Sequence, residues 1–487
     1  MSATPATSVS PSPSIQEKPQ QSHLFLGGIN KPKPHIISGK GSTITIREPT
    51  GEVRDVIDGM TGAAVGALSW GDEDIIDYIS EAAKEYTYQF PSVICNDAAE
   101  DLAKFYIDNS APNAFAAALW TSSGSEANEM ALKTIRQYWV EKGKPQKIKY
   151  LSRFTSYHGY TTGTLSLGFS NRSTPFTEIL APRSLMVKLP EYLPYHYKLE
   201  NETDEEYSVR LLAQYEEIIL KEDPETIASL TVEPVSGTSL GTPRPTKTYI
   251  YGLRKLCDKY DILLHFDEVM CGTGRMNPNG KLNTWENFLP LNEGPDLQTV
   301  GKTLGSGYVT IAGMLVSPKV RNAYLDGSSS IAGAQTYSCH AFNCAVALKV
   351  QQKIISNGYT KNIYEQGNYL GAELAKMLTD PEFKMVGDVR GLGGFWTVEF
   401  VKDTKTKELF PRKLDVSHMV SGTCHKKGLI VMGCNDNVRD GETFKGGDFI
   451  MYAPHFTITK EDADAMVKLT KESILEVQAK LIADGIL

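Results

Sequence analysis

Short apolar runs alternate with longer segments of helical periodicity through the middle of the chain. Between about residues 71 and 348 the apolar runs are KIKYLSRF, IASLTVEPV, DILLHFDEV, LQTVGKTL and IAGMLVS. Short buried strands that alternate with helices are typical of a parallel sheet covered by helices on its faces. The pattern therefore predicts an α/β fold whose large domain contains a mainly parallel sheet.

The two ends of the chain have a different pattern. Residues 23–70 alternate apolar and polar positions, as the strands of hairpins do. Residues 349–487 contain an amphipathic helix, two or three strands and a closing helix from Glu461. We expect these parts to form one smaller α+β domain beside a large domain of residues 71–348. Residues 1–22 are rich in Pro, Ser and Thr and lack an apolar core, so they predict a disordered leader rather than a targeting peptide.

Composition excludes several classes of partner. The chain has 487 residues, 41% hydrophobic residues and a net charge of -8, and no basic patch stands out. Nucleic acid and anionic membranes are therefore not expected partners. No apolar run reaches the roughly 18 residues that a membrane span needs. The seven cysteines include no C-x-x-C pair, which favours free thiols in a reducing compartment and predicts a cytoplasmic protein without a metal site.

The stretch AAALWTSSGSEANEMALKTIRQYW places only small polar residues between an apolar run and a helix-like run. Ser123 followed by Glu126 forms a capping-box pattern, which starts many ordinary helices. The alternative is a strand that passes through a Gly/Ser turn into a helix, whose free N–H groups bind phosphate. The choice between the two depends on whether other residues would use a bound phosphate.

Several polar residues directly follow apolar strands, where ligands bind in open α/β sheets. They are Asp267 and Glu233 at two strand ends, Tyr157 and His158 at a Gly-rich turn, and Lys302. A lysine between Gly301 and a GSG run is unusual, and burial lowers the pKa of such an amine and makes it nucleophilic. A phosphate cradle, an aspartate, an aromatic ring and a buried lysine together suit pyridoxal phosphate.

Six separated motifs support this interpretation and carry a family resemblance. In chain order they are SSGSEANEMALK, SYHGYTTGTLSLG, VEPVSGT, LLHFDEVMCGTGR, PDLQTVGKTLGSGY and QTYSCHAFNCAVAL. Together they resemble the class III (omega) aminotransferases, which have the pyridoxal-phosphate fold type I. The resemblance extends from about His35 to the C-terminus. It is specific because six motifs agree in both order and spacing.

The resemblance implies a role for each matching residue. Lys302 becomes the Schiff-base lysine and Asp267 the partner of the pyridine nitrogen, while Tyr157 and Val269 pack on opposite faces of the cofactor ring. The implied cofactor-binding residues are Ser123, Gly124, Ser125, Tyr157, His158, Glu233, Asp267, Val269, Lys302 and Thr336.

Two of these positions carry further implications. Glu233 would support Asp267 and face the substrate. Thr336 would reach the phosphate in the neighbouring subunit, since the sites of this family lie at a dimer interface. The resemblance thus implies a homodimer with shared active sites.

The implied reaction transfers an amino group from a primary amine or omega-amino compound to a 2-oxo acid, with pyruvate as the expected acceptor, by a ping-pong mechanism. A racemase, aminomutase or decarboxylase of the same fold remains an alternative. A nicotinamide-dependent dehydrogenase is disfavoured because RGLGGF has the wrong spacing for G-x-G-x-x-G.

The sequence also suggests substrate-binding residues. Ala64 and Met432 stand where the amine–pyruvate branch of the family has a large aromatic residue and an arginine. An alanine leaves room and a methionine offers an adaptable apolar surface, which predicts amines with bulky or long apolar groups. Arg390, in VRGLGG, is then the candidate that binds the acceptor carboxylate, and a surface ion pair is the alternative for this residue.

Overall fold

A seven-stranded sheet forms the centre of the computed structural model, which describes residues 23–26, 32–168, 172–435 and 446–487. Its strands are β4 (Ala117–Thr121), β5 (Lys149–Arg153), β6 (Met186–Leu189), β7 (Ile227–Val232), β8 (Leu263–Asp267), β9 (Leu297–Val300) and β10 (Ala312–Val316). The spatial order is β4-β10-β9-β8-β7-β5-β6. β7 and β8 are buried along their whole length, as expected for strands covered on both faces.

The sheet is mainly parallel, as the sequence predicts, but one strand runs the other way. β10 pairs antiparallel with both β4 and β9, whereas the other neighbouring strands pair parallel. A parallel crossover needs a connection of a dozen or more residues that usually forms a helix. The chain between β9 and β10 contains only one short 3-10 turn, at Lys302–Leu304, so it returns beside β9 in the antiparallel direction.

The helices are α1 (Thr61–Ala64), α2 (Glu73–Glu85), α3 (Asp97–Asp108), α4 (Gly124–Glu141), α5 (Thr162–Leu167), α6 (Pro194–Tyr197), α7 (Asp204–Lys221), α8 (Lys247–Lys259), α9 (Pro318–Asp326), α10 (Ala341–Ser356), α11 (Tyr359–Ala375), α12 (Val416–Lys426) and α13 (Lys460–Ala483). Most of the long helices begin at a side chain that accepts a hydrogen bond from the third residue of the helix. These capping residues are Asp72, Asn96, Ser123, Thr203, Thr246, Ser317 and Thr459. Such caps satisfy backbone donors that a helix start otherwise leaves open.

Two smaller sheets are built from the chain ends. The first contains β1 (His35–Lys40), β2 (Thr43–Arg47), β3 (Val53–Asp58) and β13 (Leu429–Ile430). The second contains β11 (Val386–Leu392), β12 (Phe395–Phe400), β14 (Met432–Cys434) and β15 (Asp448–Tyr452). β13 pairs parallel with β3, so the N-terminal and C-terminal parts of the chain share one sheet.

The structure does not test the domain boundaries at residues 70 and 348, which stay predictions. The leader predicted for residues 1–22 lies outside the described residues. Among the described helices, none is both long enough and apolar enough to cross a membrane.

Candidate active site

A cavity of about 570 Å³ lies beyond the ends of β4, β5, β7, β8 and β9. The sequence predicts that polar residues at these strand ends face one site, and the structure brings most of them together. The predicted residues that line the cavity are Ser123, Gly124, Ser125, Tyr157, His158, Glu233, Asp267, Val269, Lys302 and Met432.

The N-terminus of α4 forms a narrow cradle on one side of the cavity. The Ser123 side chain caps the helix, with its Oγ 3.2 Å from the Glu126 amide nitrogen. Glu126 reaches back to the Ser122 amide at 2.8 Å rather than to Ser123, so the capping box is shifted by one residue. A Cβ atom on Gly124 would lie 2.8 Å from the Val269 Cγ1 atom. Because Gly124 has no side chain, its backbone packs directly against Val269, and the start of α4 lines the cavity. A helix N-terminus attracts anions.

Asp267 stands at the centre of a buried hydrogen-bond network. Its Oδ2 atom accepts from the Asn128 amide and from the His158 Nδ1 atom, each at 2.9 Å. Its Oδ1 atom accepts from the Val269 backbone at 3.0 Å and the Thr299 hydroxyl at 3.4 Å. Burial alone would raise the pKa of Asp267, but these contacts, chiefly the one from His158, hold it below its ordinary value. The carboxylate is therefore ionised at neutral pH.

The next residue, Glu268, differs from Asp267 in that its pKa is raised rather than lowered. Its carboxylate accepts hydrogen bonds from the Thr284 and Trp285 backbone amides at 2.8 and 2.7 Å. Burial raises the pKa of Glu268 to about 8 in spite of these bonds. Consecutive residues at a strand end face opposite sides, so of these two acids only Asp267 faces the cavity.

Lys302 follows β9 and lines the cavity. Its φ of 47° lies in the left-handed region, which is uncommon for a residue with a side chain. Strain of this kind occurs at functional sites, where the surrounding structure maintains it. Burial lowers the pKa of the Lys302 amine from 10.5 to about 8, although the charges of Asp267 and Glu233 raise it in part. About one-tenth of this amine is therefore neutral at pH 7.

Tyr157 presents an aromatic ring to the cavity, as predicted. The guanidinium carbon of Arg172 lies 5.1 Å from the centre of this ring, within the range of a cation–π contact. Burial raises the pKa of Tyr157, and the positive charge of Arg172 partly opposes that effect.

Glu233 lines the cavity, but its hydrogen bonds differ from the expectation. Its carboxylate accepts from the Ser236 hydroxyl at 2.9 Å and from the Gly237 amide at 3.1 Å. These bonds fold the loop after β7 back on itself. Asp267 receives its support instead from Asn128 and His158.

Two predicted substrate-binding residues do not line this cavity. Ala64 is completely buried with a φ of 62°, and its neighbours Ala63 and Val65 face the cavity in its place. The Arg390 side chain is about 10% exposed and pairs with the carboxylates of Asp388 and Glu399. The alternative considered for Arg390, an ion pair, is therefore what the structure shows, although Arg390 is only slightly exposed and Glu399 is buried.

Thr336 is exposed and does not line the cavity of its own chain. Its backbone carbonyl accepts a hydrogen bond from the Tyr88 hydroxyl at 3.1 Å. Its contribution to a neighbouring subunit stays a prediction.

Among the cavity-lining residues that sequence reasoning missed are Asn128 and Arg172. Asn128 donates to Asp267 and to the His158 backbone, and accepts from Thr299. An asparagine among apolar positions on the inner face of α4 was a usable signal, because buried amides need several partners. Arg172 lies in an irregular segment after α5, and no periodic pattern marks it.

Comparison with known proteins identifies the family of this chain. A family model described as Aminotransferase class-III matches residues 30–474. An uncharacterised aminotransferase of Schizosaccharomyces pombe is 33% identical over 96% of this chain and 98% of its own length. The gamma aminobutyrate transaminase 1, mitochondrial, of Solanum lycopersicum is 32% identical over 88% of this chain and 79% of its own length.

A solved structure gives the same result. The omega transaminase of Pseudomonas jessenii in complex with PMP superposes with a TM-score of 0.83 at 26% identity, over 94% of this chain and 96% of that one. The fold is that of the pyridoxal-phosphate fold type I transaminases, and the protein is an aminotransferase. More specifically, the chain belongs to the class III aminotransferase family.

The residues present fit pyridoxal phosphate, the cofactor that this family uses. At Gly124 the backbone packs against Val269 with no room for a side chain, and the start of α4 lines the cavity. Asp267 is ionised and faces the cavity, and the amine of Lys302 lies in the same cavity. The Nε2 atom of His158 is buried and has no hydrogen-bond partner within the part of the chain that the structure describes. A polar group bound beside it would satisfy this atom.

Proposed function

We propose that this chain is a pyridoxal-phosphate-dependent aminotransferase that moves an amino group from a primary amine or omega-amino compound to a 2-oxo acid, with pyruvate as the acceptor. The observation that carries the proposal is the presence of Lys302, Asp267 and the cradle at Ser123–Ser125 on one cavity. When bound, the cofactor supplies a ring that stabilises negative charge on the substrate carbon.

Lys302 is the proton carrier in this proposal. With a pKa of about 8, about one amine in ten is neutral at pH 7 and can accept a proton from the substrate carbon. The protonated amine can return the proton to a second carbon nearby. Lys302 directly follows β9 and has a positive φ, and its side chain lines the cavity.

The other residues hold and orient the cofactor. The N–H groups at the start of α4 bind its phosphate, with Gly124 permitting the close approach. Asp267 presents a permanent negative charge that keeps a nearby ring nitrogen protonated, and His158 and Asn128 hold that carboxylate in place. Tyr157 and Val269 also line the cavity, and they would supply a flat and an apolar surface against the cofactor ring.

The proposal extends to assembly and location. The enzyme is a homodimer in which Thr336 reaches the partner's site, in keeping with its exposure on its own chain. It is cytoplasmic, in keeping with seven scattered cysteines that include no C-x-x-C pair.

The donor is an amine with a bulky or long apolar group. Met432 and Val65 line the cavity and offer apolar contact, and Ala63 takes the role first expected of Ala64. The tomato relative named for gamma-aminobutyrate favours the other donor class. The side chains that line this cavity support the apolar donors.

A donor panel tests the proposal. The purified enzyme, loaded with pyridoxal phosphate, is given aromatic amines, long-chain amines, beta-alanine or 4-aminobutyrate, each with pyruvate or 2-oxoglutarate. We expect bulky amines with pyruvate to react fastest. Beta-alanine or 4-aminobutyrate outrunning every bulky amine would refute the donor assignment. Conversion of a chiral amine without any acceptor, or release of carbon dioxide, would instead identify a racemase or decarboxylase.

A further inference from the structure

A histidine lies in the middle of β8, two residues before Asp267. His265 is fully buried in the segment LLHFD, whose other residues before the aspartate are apolar. Because side chains alternate between the two faces of a strand, His265 and Asp267 lie on the same face of the sheet. A polar ring buried at this position is costly unless its nitrogen atoms find partners.

The partners of the His265 ring are hydroxyl groups on the two neighbouring strands. Thr231 on β7 is the register partner of His265, and its Oγ1 atom lies 3.3 Å from the Nδ1 atom of the ring. Thr299 belongs to β9, and its Oγ1 atom lies 3.2 Å from the Nε2 atom. Both threonines are fully buried. The imidazole therefore connects three adjacent strands.

The Asn128 amide determines the direction of the hydrogen bonds beside this ring. Its Nδ2 atom donates to the ionised carboxylate of Asp267 and to the backbone carbonyl of His158, and both of these groups only accept. Its Oδ1 atom therefore faces Thr299, at 2.8 Å, as an acceptor. Turning the amide round would place its oxygen against two other acceptors, so its orientation is fixed.

The Thr299 hydroxyl has one proton and faces two acceptors. These are the Oδ1 atom of Asn128 at 2.8 Å and the Oδ1 atom of Asp267 at 3.4 Å. A proton directed at either one points away from the imidazole, so the Thr299 oxygen has to accept from Nε2 of His265. The Nδ1 atom of the ring is then unprotonated and accepts from the Thr231 hydroxyl. Each donor in this series is thus directed toward Asp267.

This arrangement requires a neutral imidazole. Burial lowers the pKa of His265 from 6.5 to about 4, and the negative charge of Asp267 only partly opposes that effect. The ring is therefore neutral at pH 7 and carries a single proton, as the hydrogen bonds at Nε2 and Nδ1 require.

We propose that His265 is a positioning residue for Asp267 and acts through Thr299 and Asn128. The Nε2 proton occupies the Thr299 oxygen and leaves the Thr299 proton for the acceptors beside Asp267. Removing the ring would let the Thr299 hydroxyl rotate, so Asn128 and Asp267 would lose a donor of fixed direction. The inference rests on the proposed function, in which Asp267 keeps a ring nitrogen of the cofactor protonated.

Neutron diffraction from crystals of the holoenzyme locates these protons and needs no substitution. We expect one proton on the His265 ring, at Nε2, and the Thr299 hydroxyl proton directed toward Asn128 or Asp267. A ring protonated at Nδ1, or at both nitrogens at neutral pH, would overturn the proposal.

Two substitutions separate the contacts of the ring. His265→Gln places an amide near the position of Nε2 and can still donate to Thr299, whereas His265→Asn extends only to the position of Nδ1, beside Thr231. Ser229→Ala is the matched control. Ser229 is a fully buried residue of β7 whose hydroxyl has no hydrogen-bond partner among the residues that the structure describes.

The measurements are kcat and KM for the amine half-reaction and the NMR signal of the cofactor's ring nitrogen, which reports its protonation. For His265→Asn we expect kcat to fall on the order of tenfold, as for the loss of about one hydrogen bond. The KM should stay unchanged, and the nitrogen signal should move toward that of the unprotonated ring. His265→Gln should recover most of kcat and of the signal, and Ser229→Ala should change neither.

An unchanged kcat and nitrogen signal in His265→Asn would overturn the proposal. Equal losses in His265→Asn and His265→Gln would do the same, because the imidazole would then only fill space in the core. If the unmodified enzyme fails in the amine half-reaction, the proposed function fails. The neutron result does not depend on turnover, so the two failures are distinguishable.

Discussion

Replacing Lys302 with methionine should make the cofactor-free protein more stable at neutral pH. The structure buries the Lys302 amine beside the cavity, which lowers its pKa from 10.5 to about 8. This difference corresponds to about 3 kcal/mol by which the folded state disfavours the ammonium form. Methionine keeps a flexible apolar side chain of similar length but carries no charge, so the variant avoids this penalty.

The sign of the pH dependence follows from which state loses its proton first. Below pH 8 the amine is protonated in both the folded and the unfolded chain, so the folded chain carries the full penalty. Between pH 8 and 10.5 the folded chain releases the proton while the unfolded chain keeps it, so stability rises with pH. The contribution of Lys302 to this rise should disappear in Lys302→Met.

Chemical denaturation of the cofactor-free protein at pH 7 and pH 9.5 tests this reasoning. Lys302→Met should be more stable than the unmodified protein at pH 7, by up to about 3 kcal/mol. At pH 9.5, one unit below the ordinary pKa of 10.5, this difference should narrow to about 1.4 kcal/mol. Lys133→Met is the control, because Lys133 lies on the exposed face of α4. Two results would show that burial does not disfavour the charged amine. One is a Lys302→Met protein that is less stable than the unmodified protein at pH 7, and the other is a difference in free energy of unfolding that is the same at both pH values.

The apolar runs predicted the strands of the central sheet well but could not give the direction of each. The run IAGMLVS becomes β10, which is antiparallel to its neighbours. A buried strand is apolar on both faces whichever way it runs. The direction of β10 depends on the connection that precedes it. That connection contains the turn beginning at Lys302, whose positive φ leaves no apolar pattern in the sequence.

The strand-end residues were predictable because their position follows from the sheet itself. Polar residues at the carboxyl ends of parallel strands meet at one edge, which places Asp267 and Lys302 on the same cavity. Irregular segments were not predictable in this way. Thr61 and Ala64 both have positive φ, so the turn between β3 and α2 directs Ala63 and Val65 into the cavity and Ala64 away from it. Sequence register alone therefore selected Ala64, whereas its neighbour Ala63 lines the cavity.

Three further substitutions test the site. Gly124→Val should weaken cofactor binding at least tenfold in equilibrium dialysis. Its Cβ alone would lie 2.8 Å from the Val269 Cγ1 atom, so the larger side chain would displace Val269, which lines the cavity. Asp267→Asn should keep the fold by circular dichroism yet lower turnover on the order of a hundredfold, because it removes a preorganised charge. Arg390→Met should act on stability rather than on substrate binding. It leaves Glu399 buried without its guanidinium partner, and breaking a buried pair from one side destabilises by about 3–5 kcal/mol. Because Arg390 does not line the cavity, the KM for pyruvate, measured well below the lowered melting temperature, should not change. A KM that rises while the melting temperature stays constant would return the carboxylate-binding role to Arg390.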